Sequence, residues 1–119
     1  MSDRRRNNAM AERRMHIAVA DRLRLEARAG WWWSHIASGE LRTKKTAALL
    51  QRLGLKPGMS DILLIAPDGE HYWLELKVDS PLSDHQASFL GMLRRRGVKC
   101  AIARSYADAI AVLEQWGVI

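Results

Sequence analysis

The segment from residue 61 to residue 78 constrains the fold more than any other part of the chain. Residues 61–66 and residues 70–78 are rich in hydrophobic side chains and bounded by turn-forming residues, which predicts two β-strands. Between them, positions 67–69 hold a proline, an aspartate and a glycine, which suit the successive positions of a three-residue hairpin loop. The sequence therefore predicts an antiparallel hairpin with a defined turn.

The length of this loop determines which residues face each other across the hairpin. With three residues in the loop, Asp61 faces Glu75. Facing side chains point to the same side of a sheet with Cβ atoms about 4.5–5.5 Å apart, and Lys77, two positions after Glu75, shares that side. A two-residue loop would instead put Asp61 opposite Leu76. The predicted turn thus gathers two carboxylates and one ammonium at a single point.

The other side of the hairpin carries only apolar side chains, so we expect it to pack on the hydrophobic core. Its members are Ile62, Leu64, Ala66, Tyr72, Leu74, Leu76 and Val78.

Two carboxylates held this close repel each other unless a cation lies between them. Mg²⁺ binds oxygen ligands at about 2.0–2.1 Å and usually keeps several waters, so a carboxylate pair suits it. A neighbouring lysine would polarise a metal-bound water or stabilise the charge that develops on a phosphate. The same spacing also fits a cross-strand Lys–Glu pair without a metal, and spacing alone leaves both interpretations open.

The residues around the hairpin, taken together with it, resemble a known family signature. Residues 58–61 read Gly-Met-Ser-Asp, and after the strand and turn Glu75-Leu76-Lys77 follows, which resembles the PD-(D/E)xK nuclease signature. Residues 53–58 and 81–86, with the later Phe89, Leu90 and Gly97, make the chain similar to the VRR-NUC branch in its small stand-alone form, found in phages and bacteria. The resemblance covers roughly Glu12 to the C-terminus.

Two positions depart from the family pattern. Ser60 stands where a proline usually precedes the metal-binding aspartate, and this should cost little because that residue is not a ligand. Residues 38–42 read Ser-Gly-Glu-Leu-Arg where relatives often show Asn-Gly followed by Arg, so position 38 receives no role.

The resemblance implies a fold class, an activity and a set of partners. The fold would be α/β, a restriction-endonuclease-like mixed sheet of about four strands flanked by helices. The activity would be that of a Mg²⁺- or Mn²⁺-dependent endodeoxyribonuclease that hydrolyses phosphodiester bonds. No sequence-reading module is visible, which favours recognition of DNA shape, such as a flap or a branched Holliday junction. Relatives of this kind resemble junction-cutting homodimers. The alternatives are a non-catalytic DNA-binding module that retains the fold, or a purely structural subunit.

The resemblance also implies roles for individual residues. Asp61 and Glu75 would bind the metal with the Leu76 carbonyl, and Lys77 would orient or help deprotonate the attacking water. Gln86 would border the site beside Lys77, although it also completes an S-x-x-Q capping box with Ser83.

The first helix is predicted over about residues 9–29, and it offers two candidates for a further acidic ligand. Met15, Val19 and Leu23 form its apolar stripe. Glu12 lies three residues before Met15 on that stripe, and Glu26 lies three residues after Leu23. We favour Glu12, because the family resemblance also puts an acidic residue on this helix, and Glu26 is the competitor.

The rest of the chain predicts one domain over residues 9–119 after a flexible basic arm at residues 1–8. The element order would be helix, strand, helix, hairpin, helix, strand, helix, with the fourth strand over 98–103 and the last helix opened by Ser105. Arg42, Lys44 and Lys45 lie in a turn before the hairpin and are candidates for binding DNA phosphates, or simply a solvated loop.

Three consecutive tryptophans at positions 31–33 fall in the first predicted strand. Because side chains alternate along a strand, Trp31 and Trp33 share a face and at least one of the three should be partly exposed. An exposed one would stack on a base or join a dimer contact, whereas at least two are expected to pack on the sheet. His35 would either approach the phosphate path or lie on the surface beside a tryptophan.

Composition agrees with a nucleic-acid partner without requiring one. Lys and Arg number 19 against 13 for Asp and Glu, giving a net charge of +6, which favours polyanions but also suits a generic basic surface. The single cysteine, Cys100, is expected to be a buried thiol of a reducing compartment. There is no run of eighteen apolar residues and no signal-peptide core. We therefore expect no membrane association and a cytoplasmic location in a bacterial cell, whether the protein is encoded by the bacterium or by a phage.

Overall fold

The structure, a computed structural model, describes residues 2–37 and 43–119. Its elements follow the predicted order of helices and strands. They are α1 (Asp3–Glu26), β1 (Trp32–His35), α2 (Lys44–Arg52), β2 (Ile62–Ile65), β3 (His71–Leu76), α3 (Asp84–Arg95), β4 (Lys99–Ala103) and α4 (Tyr106–Gln115). In this part of the chain, no helix is both long and apolar enough to cross a membrane.

The four strands form one mixed sheet in the order β1-β2-β3-β4. The first three strands are antiparallel neighbours, and β4 lies parallel to β3 because α3 carries the chain back between them. The predicted α/β class with a mixed sheet of about four strands is therefore confirmed.

The hairpin has the register that its turn predicts. Ile62 pairs with Leu74, and Leu64 pairs with Tyr72, so continuing the ladder by one position puts Asp61 opposite Glu75. Gly69 takes the left-handed conformation that the turn requires, with φ of 89°. A three-residue loop is thus confirmed.

The core lies on one face of the sheet, beneath α1 and α4. The stripe of Met15, Val19 and Leu23 is buried there, as predicted, together with Ile110 and Leu113 of α4. The predicted apolar face of the hairpin is buried in the same cluster, with Val78 only partly so. Because side chains alternate along β3, Trp73 points the other way, and its ring lies 5.1 Å from that of Phe89 on α3.

The three consecutive tryptophans alternate between partly buried and exposed positions, as expected for side chains along a strand. Trp32 is 55% exposed, whereas Trp31 and Trp33 are partly buried against the core. The Trp31 ring lies 5.2 Å from that of Tyr72. Cys100 is half-buried rather than fully buried, and its Sγ lies 4.0 Å from the Leu90 carbonyl oxygen.

Two helix starts differ from the prediction. Helix α1 begins at Asp3, so residues 3–8 are helical and do not form a separate arm; the Ser2 side chain caps it by accepting from the Arg5 amide at 3.2 Å. Helix α2 begins at Lys44, so Lys44 and Lys45 are helical rather than part of the predicted turn, because the Thr43 hydroxyl caps the helix by accepting from the Thr46 amide at 3.1 Å. The α1 helix also ends earlier than expected, at Glu26.

Candidate active site

The site lies at the end of the sheet where β3 finishes and where α1 and α3 approach it. Asp61 precedes β2, and its Oδ2 accepts a hydrogen bond of 2.7 Å from the Leu76 amide. Burial raises the pKa of Asp61, and Glu12 adds to that rise; the Leu76 amide, His35 and Lys77 oppose it. The predicted pairing of the two hairpin strands therefore fixes this carboxylate through the backbone of the facing strand.

Glu75 is a carboxylate buried without sufficient partners. Its side chain is 2% exposed, and its Oε2 has no hydrogen-bond partner among the described residues. Burial, together with the negative charge of Asp61, raises the pKa of Glu75 to about 8 against the opposing charge of Lys77. The neighbouring Ser60 hydroxyl opposes the rise in pKa only weakly, because within the described residues this buried hydroxyl makes no hydrogen bond of good geometry.

Unpaired buried oxygens are rare, and one explanation for them is an ion that the site is built to hold. Hard divalent cations such as Mg²⁺ and Mn²⁺ bind carboxylate oxygens, so the donor set formed by Asp61 and Glu75 fits such an ion. Across residues 2–37 and 43–119, no three His, Cys, Asp or Glu side chains are grouped closely enough to hold a metal by themselves. A metal here would therefore need backbone oxygens and water as additional ligands.

Lys77 is held beside the carboxylates by the start of α3. Its Nζ donates to Gln86 Oε1 at 3.1 Å. The same Gln86 oxygen accepts from the Ser83 amide at 2.9 Å, and the Ser83 hydroxyl accepts from the Gln86 amide at 3.1 Å. Gln86 thus completes the predicted capping box and also contacts Lys77, so both arrangements considered for it occur together.

Glu12 rather than Glu26 lies beside the hairpin carboxylates. Glu12 Oε1 accepts from the Val78 amide at 3.0 Å, and its charge raises the pKa of both Asp61 and Glu75. Glu26 instead pairs with Arg22 on the surface of α1. One Glu12 oxygen is occupied by the backbone, so its role as a metal ligand stays a prediction, as does that of the Leu76 carbonyl.

Two features of the site were missed by the sequence analysis. His16 contacts His35, with ring centroids 4.6 Å apart, and His35 Nδ1 lies 3.1 Å from the Asp61 carbonyl oxygen. The spacing of His16 four residues after Glu12 on the same helix was the available signal. His35 is therefore near the site, although it is exposed.

Gly58 is the second missed feature. Its φ is 81°, and a Cβ atom there would lie only 2.4 Å from the backbone carbonyl of His85. The loop that carries Asp61 therefore approaches the first turn of α3 more closely than any residue with a side chain would allow. This close approach packs the loop that leads to Asp61 against the helix start that carries Gln86.

The predicted phosphate-binding residues are only partly described. Lys44 and Lys45 are exposed in the first turn of α2, whereas Arg42 lies outside the described residues. Neither lysine contributes to the hydrogen bonds among Asp61, Leu76, Lys77 and Gln86.

Comparison with known proteins identifies the fold. No family model matches the sequence, and no curated protein matches it. A solved structure described as a "VRR_NUC domain protein" superposes with a TM-score of 0.74 at 20% sequence identity, covering 89% of this chain and 87% of the other. A second, described as a "VRR_NUC domain", superposes with a TM-score of 0.59 at 19% identity, covering 89% and 97%. The chain therefore has the fold of the VRR-NUC domains, as the sequence resemblance implied.

Proposed function

We propose that this protein is a metal-dependent endonuclease that hydrolyses phosphodiester bonds in DNA. The observation that supports this best is Glu75, a buried carboxylate opposite Asp61, one of whose oxygens has no hydrogen-bond partner among residues 2–37 and 43–119. Such a group is costly to a fold unless something pairs with it. A domain that only bound DNA would gain nothing from this arrangement, because a buried negative charge does not attract a phosphate.

Each residue of the site has a distinct part in the proposed reaction. Asp61 and Glu75 would hold the metal, and the Leu76 amide keeps Asp61 oriented toward it. Mg²⁺ or Mn²⁺ bound there would neutralise charge on the phosphate and lower the pKa of a bound water.

Lys77 supplies a positive charge beside the reacting phosphate, at a position fixed by Gln86. Glu12 holds the chain just after β3 through the Val78 amide, and we propose that its other oxygen is an additional acidic ligand that reaches the metal through a bound water, because Glu12 is not grouped with Asp61 and Glu75 closely enough for direct binding.

DNA as the substrate is supported by charge. The net charge of +6 and the exposed Lys44 and Lys45 favour a polyanion. We extend the proposal to branched DNA, because a domain without a sequence-reading module would recognise the shape of DNA rather than its sequence. We also propose a homodimer, because a small domain has little surface with which to grip a junction. Lys44 and Lys45, with Arg42, are the proposed phosphate contacts outside the site.

The test is cleavage of end-labelled DNA by the purified protein. Linear, flapped and four-way substrates would be incubated with Mg²⁺, with Mn²⁺ or with a chelator, and an RNA of the same sequence would be included. We expect cutting only with metal and faster cutting of the branched forms. The matched control is Glu114→Gln, which removes an exposed carboxylate distant in sequence from the site and should cut like the parent. Cutting that persists in chelator, or its absence with every DNA substrate, would contradict the proposal.

A further inference from the structure

A cleft of about 460 Å³ opens beside Lys77, between the first turns of α1 and the segment that follows β3. Arg5, Glu12 and Lys77 supply its charged lining, and Ala9, Pro81 and Leu82 supply apolar lining. Its volume is within the range of small-ligand sites in proteins. Two of the four α1 residues that form one wall, Arg5 and Asn8, lie in the segment for which the sequence predicted a separate arm.

The opposite wall of the cleft is held in a defined shape. Asn8 Nδ2 lies 3.5 Å from the Asp79 carbonyl oxygen, at the limit of a hydrogen bond, and Arg104 donates to the Ser80 carbonyl. Asp79 has φ of 49°, which is strained for a residue with a side chain. Strained backbone persists where its surroundings hold it, and it is common at binding sites.

The charges along the cleft distinguish its two ends. Glu12 and Lys77 lie at the end near the hairpin carboxylates, where Glu12 is bonded to the Val78 amide. Arg5 precedes Glu12 by two helical turns, or about 10 Å along the helix axis. Within the described part of the chain, the Arg5 side chain makes no ion pair or hydrogen bond, whereas Arg6 pairs with Asp3 at 3.8 Å. Arg5 is therefore available to bind an anion at the end of the cleft away from the carboxylates.

We propose that this cleft binds the nucleotide next to the scissile phosphate, with its phosphate on Arg5 and its sugar against Ala9, Pro81 and Leu82. Because Arg5 lies about 10 Å along the helix axis from Glu12, we assign it to a phosphate next to the reacting one. The position of the scissile phosphate rests on the proposed nuclease function. The presence of an anion subsite at Arg5 does not, because it follows from the cleft and its charges.

The test compares two arginines on the same helical turn. Arg5→Gln removes a charge that lines the cleft, and Arg4→Gln removes an exposed charge that does not. DNA affinity would be measured over a range of salt concentrations in chelator, so that no cleavage is needed. We expect Arg5→Gln to weaken binding by about tenfold, as for loss of one charged hydrogen bond, and to flatten the salt slope by about 0.9 on duplex DNA. Arg4→Gln should change affinity by less than about twofold.

A second variant fills the cleft without altering any charge. Ala9→Phe should weaken binding in the same assay while leaving the salt slope and the circular dichroism spectrum unchanged. Equal effects of Arg4→Gln and Arg5→Gln, or parental affinity of Ala9→Phe, would overturn the subsite. If the parent cuts no DNA yet Arg5→Gln and Ala9→Phe behave as expected, the subsite stands and the nuclease proposal fails. If the parent cuts DNA but Arg4→Gln and Arg5→Gln have equal effects on affinity, the nuclease proposal stands and the subsite proposal fails.

Discussion

Leu74 and Glu75 are neighbours on β3 and almost equally inaccessible to solvent, at 0% and 2% exposure. Leu74 points into the core beneath α1, where its burial contributes about 25 cal/mol for each Å² of apolar surface removed from water. Glu75 points to the other side of the sheet, where its burial opposes folding because one carboxylate oxygen has no hydrogen-bond partner in the part of the chain that the structure describes. One strand therefore carries both a stabilising face and a destabilising site.

The polar site depends on the hydrophobic core to hold it together. A carboxylate pair that repels itself can be held together only if the rest of the hairpin is anchored independently. The apolar face of β2 and β3 anchors the hairpin in the core. Because the backbone is held in this way, the Leu76 amide can fix the orientation of the Asp61 carboxylate by donating a hydrogen bond to it. If the two faces are separable, a substitution on one face should leave the property that depends on the other face unchanged.

The largest effect is expected on the chemistry of the polar face. Asp61→Ala should abolish cutting, because it removes a proposed metal ligand, while DNA affinity in chelator stays near that of the parent. Cleavage and binding would be measured on the same protein preparations, with Glu114→Gln as the control. An Asp61→Ala protein that cuts at the parental rate would show that the carboxylate pair is not the catalytic site.

The next effect concerns Lys77. Lys77→Met keeps the length of the side chain and removes its charge, and loss of one electrostatic contact in a site typically costs about 10²–10³ in rate. The single-turnover cleavage rate at saturating metal is the measurement. A rate within a few-fold of the parent would mean that Lys77 serves only as a partner of Gln86 in the structure.

On the apolar face, the expected effect is on stability. Leu74→Ala should lower the free energy of unfolding by about 2–5 kcal/mol, because it leaves a cavity in the core. Urea unfolding gives this value, and the surviving folded fraction should cut DNA at close to the parental rate. If Leu74→Ala instead abolishes cutting by protein that is still folded, the two faces are not separable.

The smallest of these effects is expected at the exposed lysines of α2. Lys44→Ala combined with Lys45→Ala should flatten the slope of log affinity against log salt by about 0.9 for each lost contact with duplex DNA. Metal-dependent stability should be unchanged, because no ligand is altered. An unchanged slope would assign the phosphate contacts to other basic residues, such as those at 94–96.

The sequence predicted correctly those features that depend on residues close together in the chain. The turn at residues 67–69 determines the register of the hairpin, so the facing of Asp61 and Glu75 followed from it. The helical period likewise placed Glu12 on the inner stripe of α1. The capping box of Ser83 and Gln86 was readable because both members lie within one turn.

The rest of the site depends on contacts between distant segments. The close approach of Gly58 to His85 and the contact of His16 with His35 arise only once the sheet is assembled. The sequence did not predict the start of α1, because the first turns of this helix lack an apolar stripe. The wall of the cleft that these turns form was therefore not predicted either. Residues 38–42 lie outside the described residues, so Arg42 stays a prediction.

The most direct test of the central claim is the free energy of unfolding of the parent and of Glu75→Gln, each measured in chelator and in excess Mg²⁺ at several pH values. In chelator, the raised pKa of Glu75 means that the folded protein binds this proton more tightly than the unfolded chain does. The parent should therefore lose stability as pH rises from about 4.5, the ordinary pKa of the group, to about 8, the value in the fold.

Glu75→Gln should lack most of this loss and should be more stable than the parent by a few kcal/mol above pH 8 in chelator, since each pKa unit corresponds to about 1.4 kcal/mol. Mg²⁺ should restore stability to the parent by about 1–3 kcal/mol at concentrations well above its dissociation constant, and should do little for the variant. Equal stability of the two proteins at high pH, or equal stabilisation of both by Mg²⁺, would contradict the claim that Glu75 is buried to hold a metal.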